Sequence, residues 1–308
     1  MSQHYDLIGD IHGHAAKLRQ LLAELGYREH QGVYHHPRNR VVFLGDFIDR
    51  GPAQLETVAI VRAMVETGNA LAVMGNHEFN ALAWHTPDPE HSGEYLRRHT
   101  EKNHHQHRAF LAEVAHHPTR HAAVMDWFRS LPLYLELPGF RVVHACWHAT
   151  LLAELRPWLA PGTRLSHDLL VRASRKGRRE YTVVEVFLKG LEMALPAPHF
   201  FRDKDGHRRE RMRVRWWDDS VRDYAAGALP GEGLGEALAA VPLAAGMVPG
   251  YTADKPVFIG HYWLTGEPAP LGPKVACVDY SAGNGGPLCA YRWQGETTLE
   301  AGHFVAVD

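Results

Sequence analysis

Short apolar runs alternate with stretches of helical periodicity over the first 84 residues. The predicted strands are residues 5–9, 40–44 and 70–74, and the predicted helices are residues 14–25, 53–67 and 78–84. The first two helices are followed by Gly26 and Gly68, which are typical helix ends. Strands that alternate with helices predict a parallel sheet covered by helices, with ligands bound where the strands end.

The rest of the chain is less regular. Residues 85–130 are polar, rich in histidine and predicted to be helical, and residues 131–146 predict a hairpin that turns at Pro138 and Gly139. The other predictions are helices within 150–195, a hairpin around Asp205-Gly206 within 199–217, a loop-rich connection at 226–250, and strands at 256–260, 274–280 and 287–293. We therefore predict one α/β domain over residues 1–308, with insertions at about 85–130 and about 150–250.

The composition mainly excludes certain partners and certain classes of protein. A net charge of −2 gives no electrostatic reason to expect a stable nucleic acid complex or a membrane partner. No apolar segment approaches the roughly 18 residues of a membrane span, and no leader pattern precedes the first strand. The three cysteines, Cys146, Cys277 and Cys289, are too few and too widely spaced for a disulfide framework or a zinc ribbon. We therefore expect a cytoplasmic protein.

Candidate metal-ligating side chains follow the predicted strands directly. They are Asp10 and His12 in LIGDIHGH, Asp46 in VFLGDFIDRG, Asn76 in AVMGNHE, His144 in VVHACWH and His261 in VFIGHYW. Carboxylates, imidazoles and an amide without cysteine favour manganese, iron or zinc. Six ligands are too many for one catalytic ion with an open position, so two ions that share a bridging carboxylate fit better.

Glycines precede four of these ligand segments. Gly9, Gly45, Gly75 and Gly260 lie where the chain must turn off a strand and its backbone must approach other loops closely. A side chain at such positions would obstruct the approach. The glycines therefore support a shared crevice built from loops far apart in the chain.

The motifs GDIHG, GDFIDRG and GNHE, in this order, resemble those of the calcineurin-like metallophosphoesterases. Within that superfamily they are similar to the branch of the PPP Ser/Thr phosphatases and the bacterial diadenosine tetraphosphate hydrolases. The resemblance implies an α/β sandwich of two mixed β-sheets flanked by helices, with helical insertions. It also implies two divalent metal ions, of which manganese is expected, with iron or zinc as alternatives.

The resemblance also implies roles for individual residues. Asp10 and His12 would bind the first metal ion, Asp46 would bridge, and Asn76, His144 and His261 would complete the second site. His77 would be the general acid that protonates the leaving oxygen, oriented by Asp49, and Arg50 would bind phosphate oxygens. These roles are chemically consistent, because a histidine held by a carboxylate stays protonated near neutral pH and a guanidinium matches two phosphate oxygens.

The expected function is hydrolysis of a phosphoester or phosphoanhydride by a metal-bridging hydroxide. A small phosphorylated molecule or dinucleoside polyphosphate is favoured as substrate, because His144 is followed by Ala145 and Cys146 instead of the Gly-Gly of protein phosphatases. His261 is in a segment that resembles the GHT motif of the tetraphosphatases, with Tyr262 in place of Thr. The alternatives are a PPP-type phosphoprotein phosphatase and a non-catalytic metal-binding scaffold, although a scaffold would not need the pair His77 and Asp49.

Other polar residues have simpler interpretations. His148 is a second candidate for the ligand assigned to His144, and Asp205-Gly206 fits a hairpin turn better than a calcium loop. One of Arg172, Arg175 and Arg178 is a candidate for a second phosphate contact. A solvated helix face explains seven of the histidines of the first insertion, although His104, His105 or His107 could reach over the crevice. These seven are His99, His104, His105, His107, His116, His117 and His121.

Overall fold

The computed structural model describes residues 4–202, 208–229, 238, 241–244 and 246–308. Its strands are β1 (His4–Ile8), β2 (Arg28–His30), β3 (Val33–His35), β4 (Asn39–Phe43), β5 (Ala70–Ala72), β6 (Tyr134–Glu136), β7 (Arg141–Val143), β8 (Glu192–Ala194), β9 (Phe201–Arg202), β10 (Arg208–Arg209), β11 (Arg211–Arg213), β12 (Val257–Ile259), β13 (Val275–Cys277), β14 (Leu288–Trp293) and β15 (Phe304–Val307). Its α-helices are α1 (Ala15–Glu24), α2 (Gln54–Glu66), α3 (Asn76–His85), α4 (Glu101–Val114), α5 (Pro118–Ser130), α6 (Ala149–Leu155), α7 (His167–Ala173), α8 (Arg179–Lys189) and α9 (Tyr224–Gly227).

Two mixed sheets form the centre of the fold. The five-stranded sheet has the order β15-β14-β1-β4-β5, in which β1, β4 and β5 run parallel and β14 and β15 pair antiparallel. The four-stranded sheet has the order β13-β12-β7-β6, in which β13, β12 and β7 run parallel. The predicted sandwich of two mixed sheets flanked by helices is confirmed.

Alternate residues of the central strands enter two different cores. Leu7 of β1 and Val42 of β4 pack in a cluster with Val142 of β7 and Phe258 of β12, so this cluster lies between the sheets. The neighbouring residue Ile8 belongs to the larger cluster formed with the helices. Strands buried on both faces are apolar at nearly every position, which explains why they appear as continuous apolar runs in the sequence.

The predicted elements are found, with differences where the sequence signal was weak. The hairpin of β2 and β3 was not predicted, because β2 is exposed throughout and shows no apolar alternation. Strand β15 was also not predicted. The first insertion, predicted to be helical, contains the two helices α4 and α5. The strands β9 and β10 form the arms of the predicted second hairpin and pair antiparallel, whereas its turn at Asp205-Gly206 lies outside the described residues. Strand β11 pairs instead with β8, which was not predicted.

Among the described residues, no helix combines the length and the hydrophobicity needed to cross a bilayer.

Candidate metal centre

Loops that follow five strands meet at one edge of the two sheets. They carry Asp10 and His12 after β1, Asp46 after β4, Asn76 after β5, His144 after β7 and His261 after β12. Parallel strands end at the same edge, so these strand ends bring side chains from distant parts of the chain together. All six side chains are buried except that of His261, which is partly buried.

Asp46 lies at the centre of this group. Its Oδ2 atom is 3.4 Å from His144 Nε2, 3.7 Å from His12 Nε2 and 3.8 Å from His77 Nε2. Two sets of potential ligand atoms each lie within 4.8 Å of one another, one from Asp46, His12 and His77 and one from Asp46, His144 and His261. Asp46 is the member common to both sets, which is the arrangement that a bridging carboxylate requires.

Asn76 and Asp10 complete the group, and both contact His261. Asn76 Oδ1 is 3.2 Å from His144 Nε2 and 2.8 Å from His261 Nδ1. Asp10 Oδ2 accepts a hydrogen bond from the backbone N–H of His261 at 3.1 Å. The donor set therefore consists of two carboxylates, an amide oxygen and imidazole nitrogens, which suits divalent ions such as manganese, iron and zinc.

Two of the histidines are fixed in the tautomer that binds metal ions. His12 Nδ1 donates to the backbone carbonyl of Ile48 at 3.0 Å, and His144 Nδ1 donates to the carbonyl of Leu44 at 2.7 Å. A carbonyl oxygen only accepts hydrogen bonds, so Nδ1 carries the hydrogen in both rings. Nε2 is therefore the ring nitrogen that faces Asp46 in both residues, and the backbone holds the rings in that orientation.

Unpartnered buried atoms show that the residues fit a cation. Asp10 Oδ1 and His12 Nε2 are buried and have no hydrogen-bond partner. Burial, with the charges of Asp279 and Asp46, raises the pKa of the Asp10 carboxyl well above its ordinary value. Burial, with the neighbouring His77, lowers the pKa of His12 to about 3, so its imidazole is neutral at pH 7. A divalent cation would satisfy both atoms and offset the repulsion between the carboxylates.

The carboxylates of the cluster also act on the pKa of His144, and Asp46 has the largest effect among them. Burial lowers the pKa of His144, but the carboxylates of Asp46 and Asp10 outweigh it and raise the value to about 10. For Asp46, burial favours the neutral acid, yet His144 and His77 hold its pKa well below the ordinary range. Asp46 is therefore ionised in this cluster, as a bridging ligand must be.

Asp49 joins two histidines beside the cluster. His77 Nδ1 is 2.5 Å from one carboxylate oxygen of Asp49, and His107 Nδ1 is 2.7 Å from the other. Burial raises the pKa of Asp49, but the hydrogen bonds from His107 and His77 outweigh it and keep the carboxyl ionised. Burial lowers the pKa of His77, whereas Asp46 and Asp49 raise it above the ordinary value. Protonated His77 is therefore favoured.

For His107 the interpretation as part of a solvated helix face is wrong. This residue is 4% exposed and lies with Phe110 and Val114 on the buried face of α4. Its spacing of three and seven residues from these apolar positions is the signal in the sequence that separates it from its neighbours. The prediction of a solvated helix face holds for His104 and His105 on α4. His99, His116 and His117 are exposed but lie outside α4 and α5, and His121 is partly buried.

Arg50 is held by an aromatic residue that the sequence interpretation did not identify. The guanidinium carbon of Arg50 lies 4.0 Å from the centre of the Trp263 ring, which is a cation–π contact. The ring of Trp263 is in turn 5.8 Å from that of His12. Arg50 also has a φ of 74°, in the left-handed region, and its side chain is exposed at the edge of the cluster. Trp263 therefore fixes where this cation lies.

Glu78 organises the backbone of the site. One of its carboxylate oxygens accepts from the N–H groups of Asp46 at 2.8 Å and Gly75 at 2.9 Å, and the other accepts from Phe47 at 2.8 Å. Burial, with the charge of Asp46, raises the pKa of Glu78 to about 7. No role was predicted for Glu78, although it is part of the GNHE motif. It ties the loop after β4 to the start of α3.

Two glycines allow the backbone of the site to lie close to the carboxylates of neighbouring loops. A Cβ atom on Gly75 would collide with the carboxylate of Asp46, and a Cβ atom on Gly260 would collide with that of Asp10. Both glycines are therefore required for the space they leave, as expected for backbone that contacts a neighbouring loop.

Other candidates have structural roles. The side chain of His148 accepts from Leu151 N–H and caps the start of α6. The three candidate arginines form ion pairs with carboxylates outside the cluster. These pairs are Arg172 with Asp168 and Glu180, Arg175 with Asp88 and Glu90, and Arg178 with Glu90.

A family model for calcineurin-like phosphoesterases matches residues 4–189, which is more than half of the chain. The chain belongs to the calcineurin-like phosphoesterase family. Membership implies divalent metal ions, and the two ligand sets that share Asp46 are compatible with them. The matched range extends from the start of β1 to the end of α8. It covers five of the six predicted ligands, whereas His261 lies beyond it.

Two curated relatives of this calcineurin-like phosphoesterase are named as nucleosyl-tetraphosphatases. An asymmetrical bis(5'-nucleosyl)-tetraphosphatase of Halalkalibacterium halodurans is 45% identical over 74 residues, which is 24% of this chain and 30% of that protein. A symmetrical bis(5'-nucleosyl)-tetraphosphatase of a Shewanella species is 31% identical over 140 residues, or 46% of this chain and 42% of that protein. The chain therefore matches less than half the length of these relatives.

The fold of this calcineurin-like phosphoesterase is also found in a solved structure. A cold-active protein-tyrosine phosphatase of a psychrophilic Shewanella species superimposes with a TM-score of 0.50 and 14% sequence identity. The match covers 100% of this chain and 81% of that protein. At this identity the likeness establishes the architecture alone.

Proposed function

We propose that this protein is a dinuclear metal-dependent phosphoesterase that hydrolyses a small phosphorylated molecule, with dinucleoside polyphosphates as the favoured substrate class. One observation supports this proposal above the others. Two sets of ligand atoms share Asp46, and His77, a protonatable histidine of one set, is held by the carboxylate of Asp49. Metal ions and a proton donor at one site are what cleavage of a phosphoester requires.

In this proposal two ions would share Asp46. Asp10 and His12 would hold one ion with it, and Asn76, His144 and His261 would hold the other. Manganese is the proposed ion, with iron or zinc as alternatives that the same donor set accepts. When bound, two such ions supply Lewis acidity and an activated water at neutral pH.

The neighbouring side chains act on the substrate. Protonated His77 donates to the leaving oxygen, because Asp49 holds its Nδ1 atom and leaves Nε2 toward the cluster. Arg50 binds phosphate oxygens through its planar fork, and its charge opposes the charge that gathers on the transferred group. Such a pair of proton donor and anion clamp has no use in a metal-binding scaffold.

The nucleotide preference has separate support. Both curated relatives named above are tetraphosphatases by name, although the matched segments are short. Ala145 and Cys146 replace the Gly-Gly of protein phosphatases after His144, and both are fully buried. We also propose a cytoplasmic location, because the three cysteines are free and buried, as is usual in a reducing compartment.

A substrate panel tests the preference. We expect the manganese-loaded protein to cleave diadenosine tetraphosphate with a kcat/KM at least ~10-fold higher than for Ser/Thr or Tyr phosphopeptides, a difference of about 1.4 kcal/mol in transition-state binding. Metal analysis on the same preparation gives the ion content. A preference for phosphopeptides would favour the PPP-type alternative, and two bound ions without turnover on any substrate would favour the scaffold.

A variant of Trp263 tests the placement of Arg50. We expect Trp263→Leu to raise KM about 2- to 5-fold with little change in kcat, because an exposed cation–π contact contributes ~0.5–1 kcal/mol. Steady-state kinetics on the preferred substrate measure both constants. Trp158→Leu, which changes a partly buried tryptophan of the surface segment Arg156–Trp158, is the matched control and should leave KM unchanged. An unaltered KM in Trp263→Leu would remove the positioning role.

A further inference from the structure

Both oxygens of the Asp49 carboxylate are held by histidines from different parts of the chain. His77 comes from the start of α3, and His107 comes from the middle of α4 in the first insertion. The contact distances are 2.5 Å and 2.7 Å, respectively. No role for His107 follows from the motifs, since it lies outside all of them.

The chemistry of this contact fixes which atom carries the hydrogen. An ionised carboxylate only accepts hydrogen bonds, so His107 donates through Nδ1 to Asp49. The other nitrogen of the ring, Nε2, is buried without a partner. The ring stacks on Phe110 at 5.1 Å and lies 5.9 Å from the rings of Trp84 and His85. Packing therefore fixes the ring plane, and the Nδ1–H group is its only observed polar contact among the described residues.

Helix α4 is also bound to the start of α2, directly after the loop that carries Asp49. Glu113 accepts hydrogen bonds from the backbone N–H groups of Gln54 at 2.6 Å and Leu55 at 2.9 Å. The side chain of Gln54 accepts from the backbone N–H of Asp49 at 2.5 Å. The insertion helix thus holds the Asp49 carboxylate directly and supports its backbone through Gln54.

We propose that His107 is a positioning residue that acts through Asp49 on His77. A carboxylate held at one oxygen can rotate about its Cβ–Cγ bond, whereas one held at both oxygens keeps a fixed plane. The fixed plane directs the hydrogen bond to His77 Nδ1 and so fixes the direction of His77 Nε2. This inference rests on the proposed function of His77 as the proton donor, and it makes the first insertion part of the acid-catalytic apparatus.

The first test compares leaving groups. We expect His107→Phe, which keeps a buried aromatic ring but removes the donor, to lower kcat about 10-fold on an alkyl phosphate, the lower end of what loss of an orienting partner costs. On p-nitrophenyl phosphate, whose leaving group scarcely needs a proton, the same variant should be nearly unchanged. His107→Asn places an amide N–H close to the position of Nδ1 and should restore most of the lost rate. KM should change little in either variant.

Two controls separate positioning from general damage to the structure. His85→Phe alters the ring beside His107 in the same aromatic cluster and should leave both substrates unaffected. In an Asp49→Ala background, His107→Phe should cause no further loss, because its effect passes through Asp49. Equal losses on both leaving groups, or additive losses with Asp49→Ala, would show that His107 only stabilises the fold, and the inference would be overturned.

A second readout needs neither metal nor turnover. Proton NMR of the metal-free protein should show, among its slowly exchanging imidazole N–H signals, one that is lost in His77→Ala and one that is lost in His107→Phe. The His77 signal should also shift in His107→Phe and return in His107→Asn. A His77 signal that does not respond to His107→Phe overturns the inference. If the wild-type protein shows no hydrolysis, the proposed function fails, and the NMR result still decides whether His107 fixes the carboxylate.

Discussion

Replacement of His77 by alanine is expected to slow hydrolysis of an alkyl phosphoester by about 10²-fold or more, the size typical of general acid catalysis. The side chain lies 3.8 Å from Asp46 through Nε2 and is held by Asp49 through Nδ1. Its loss removes the proton donor but leaves all six proposed metal ligands in place. Metal content, measured on the same preparation, should therefore stay at the wild-type level.

The leaving group and a control on the same helix make this test specific. The loss should be much smaller on an activated aryl phosphate, because a good leaving group departs without a proton. His85→Phe changes another histidine of α3, whose Nδ1 donates to the carbonyl of Ala81, keeps an aromatic ring beside His107 and should keep full activity. Loss of bound metal in His77→Ala would instead make His77 a ligand, which its place in the set with His12 and Asp46 allows. Full turnover on the alkyl substrate would remove the acid role.

Replacement of Asp46 by asparagine is expected to abolish metal binding at the shared position. The Oδ1 atom of Asp46 accepts from His77 N–H at 2.9 Å, and the amide oxygen of asparagine can preserve that bond. The amide nitrogen would then occupy the place of Oδ2, where His144 and His12 present their ring nitrogens. An N–H₂ group cannot bind a cation, so we expect activity to fall by more than the roughly 10–100-fold that loss of an outer-shell partner costs.

Thermal unfolding measures this effect without turnover. Manganese at ~100 times its Kd should stabilise the wild-type protein by about 2.7 kcal/mol, or roughly 4 °C in Tm. The rise should be nearly absent in Asp46→Asn. Asp6→Asn is the matched control, since Asp6 is a fully buried carboxylate of β1 bonded to Arg292, Tyr27 and Asn39. That variant should lower Tm but keep the rise with manganese. A full rise in Asp46→Asn would exclude it as the shared ligand.

The sequence predicted the central strands well because they are buried on both faces. Residues 40–44 are apolar after the first position, since Val42 faces the space between the sheets while Val41 and Phe43 face the helices. A strand with only one buried face, or none, leaves a weaker pattern. The exposed strand Arg28–His30 was therefore missed, and so was Phe304–Val307 at the edge of the five-stranded sheet.

The candidate ligands could also be found from the sequence, because each one follows a strand at short range. Asp10, Asp46 and Asn76 lie in segments whose local pattern of strand, glycine and polar residue is visible without any tertiary information. The roles assigned to them remain proposals. His107 was assigned to a solvated face because its polar neighbours on α4 outweighed the apolar spacing with Phe110 and Val114.

The sequence by itself determined the fold class, the family motifs and the set of candidate ligands, because these depend on local periodicity and on short segments at strand ends. Only the tertiary structure decided which side chains position the residues of the site. The partners of Asp49 are 28 and 58 residues away in His77 and His107, and Trp263 meets Arg50 from the other end of the chain. Such contacts depend on how an insertion helix and a distant loop pack against the sheet edge, and hydrophobic periodicity contains no information about that packing.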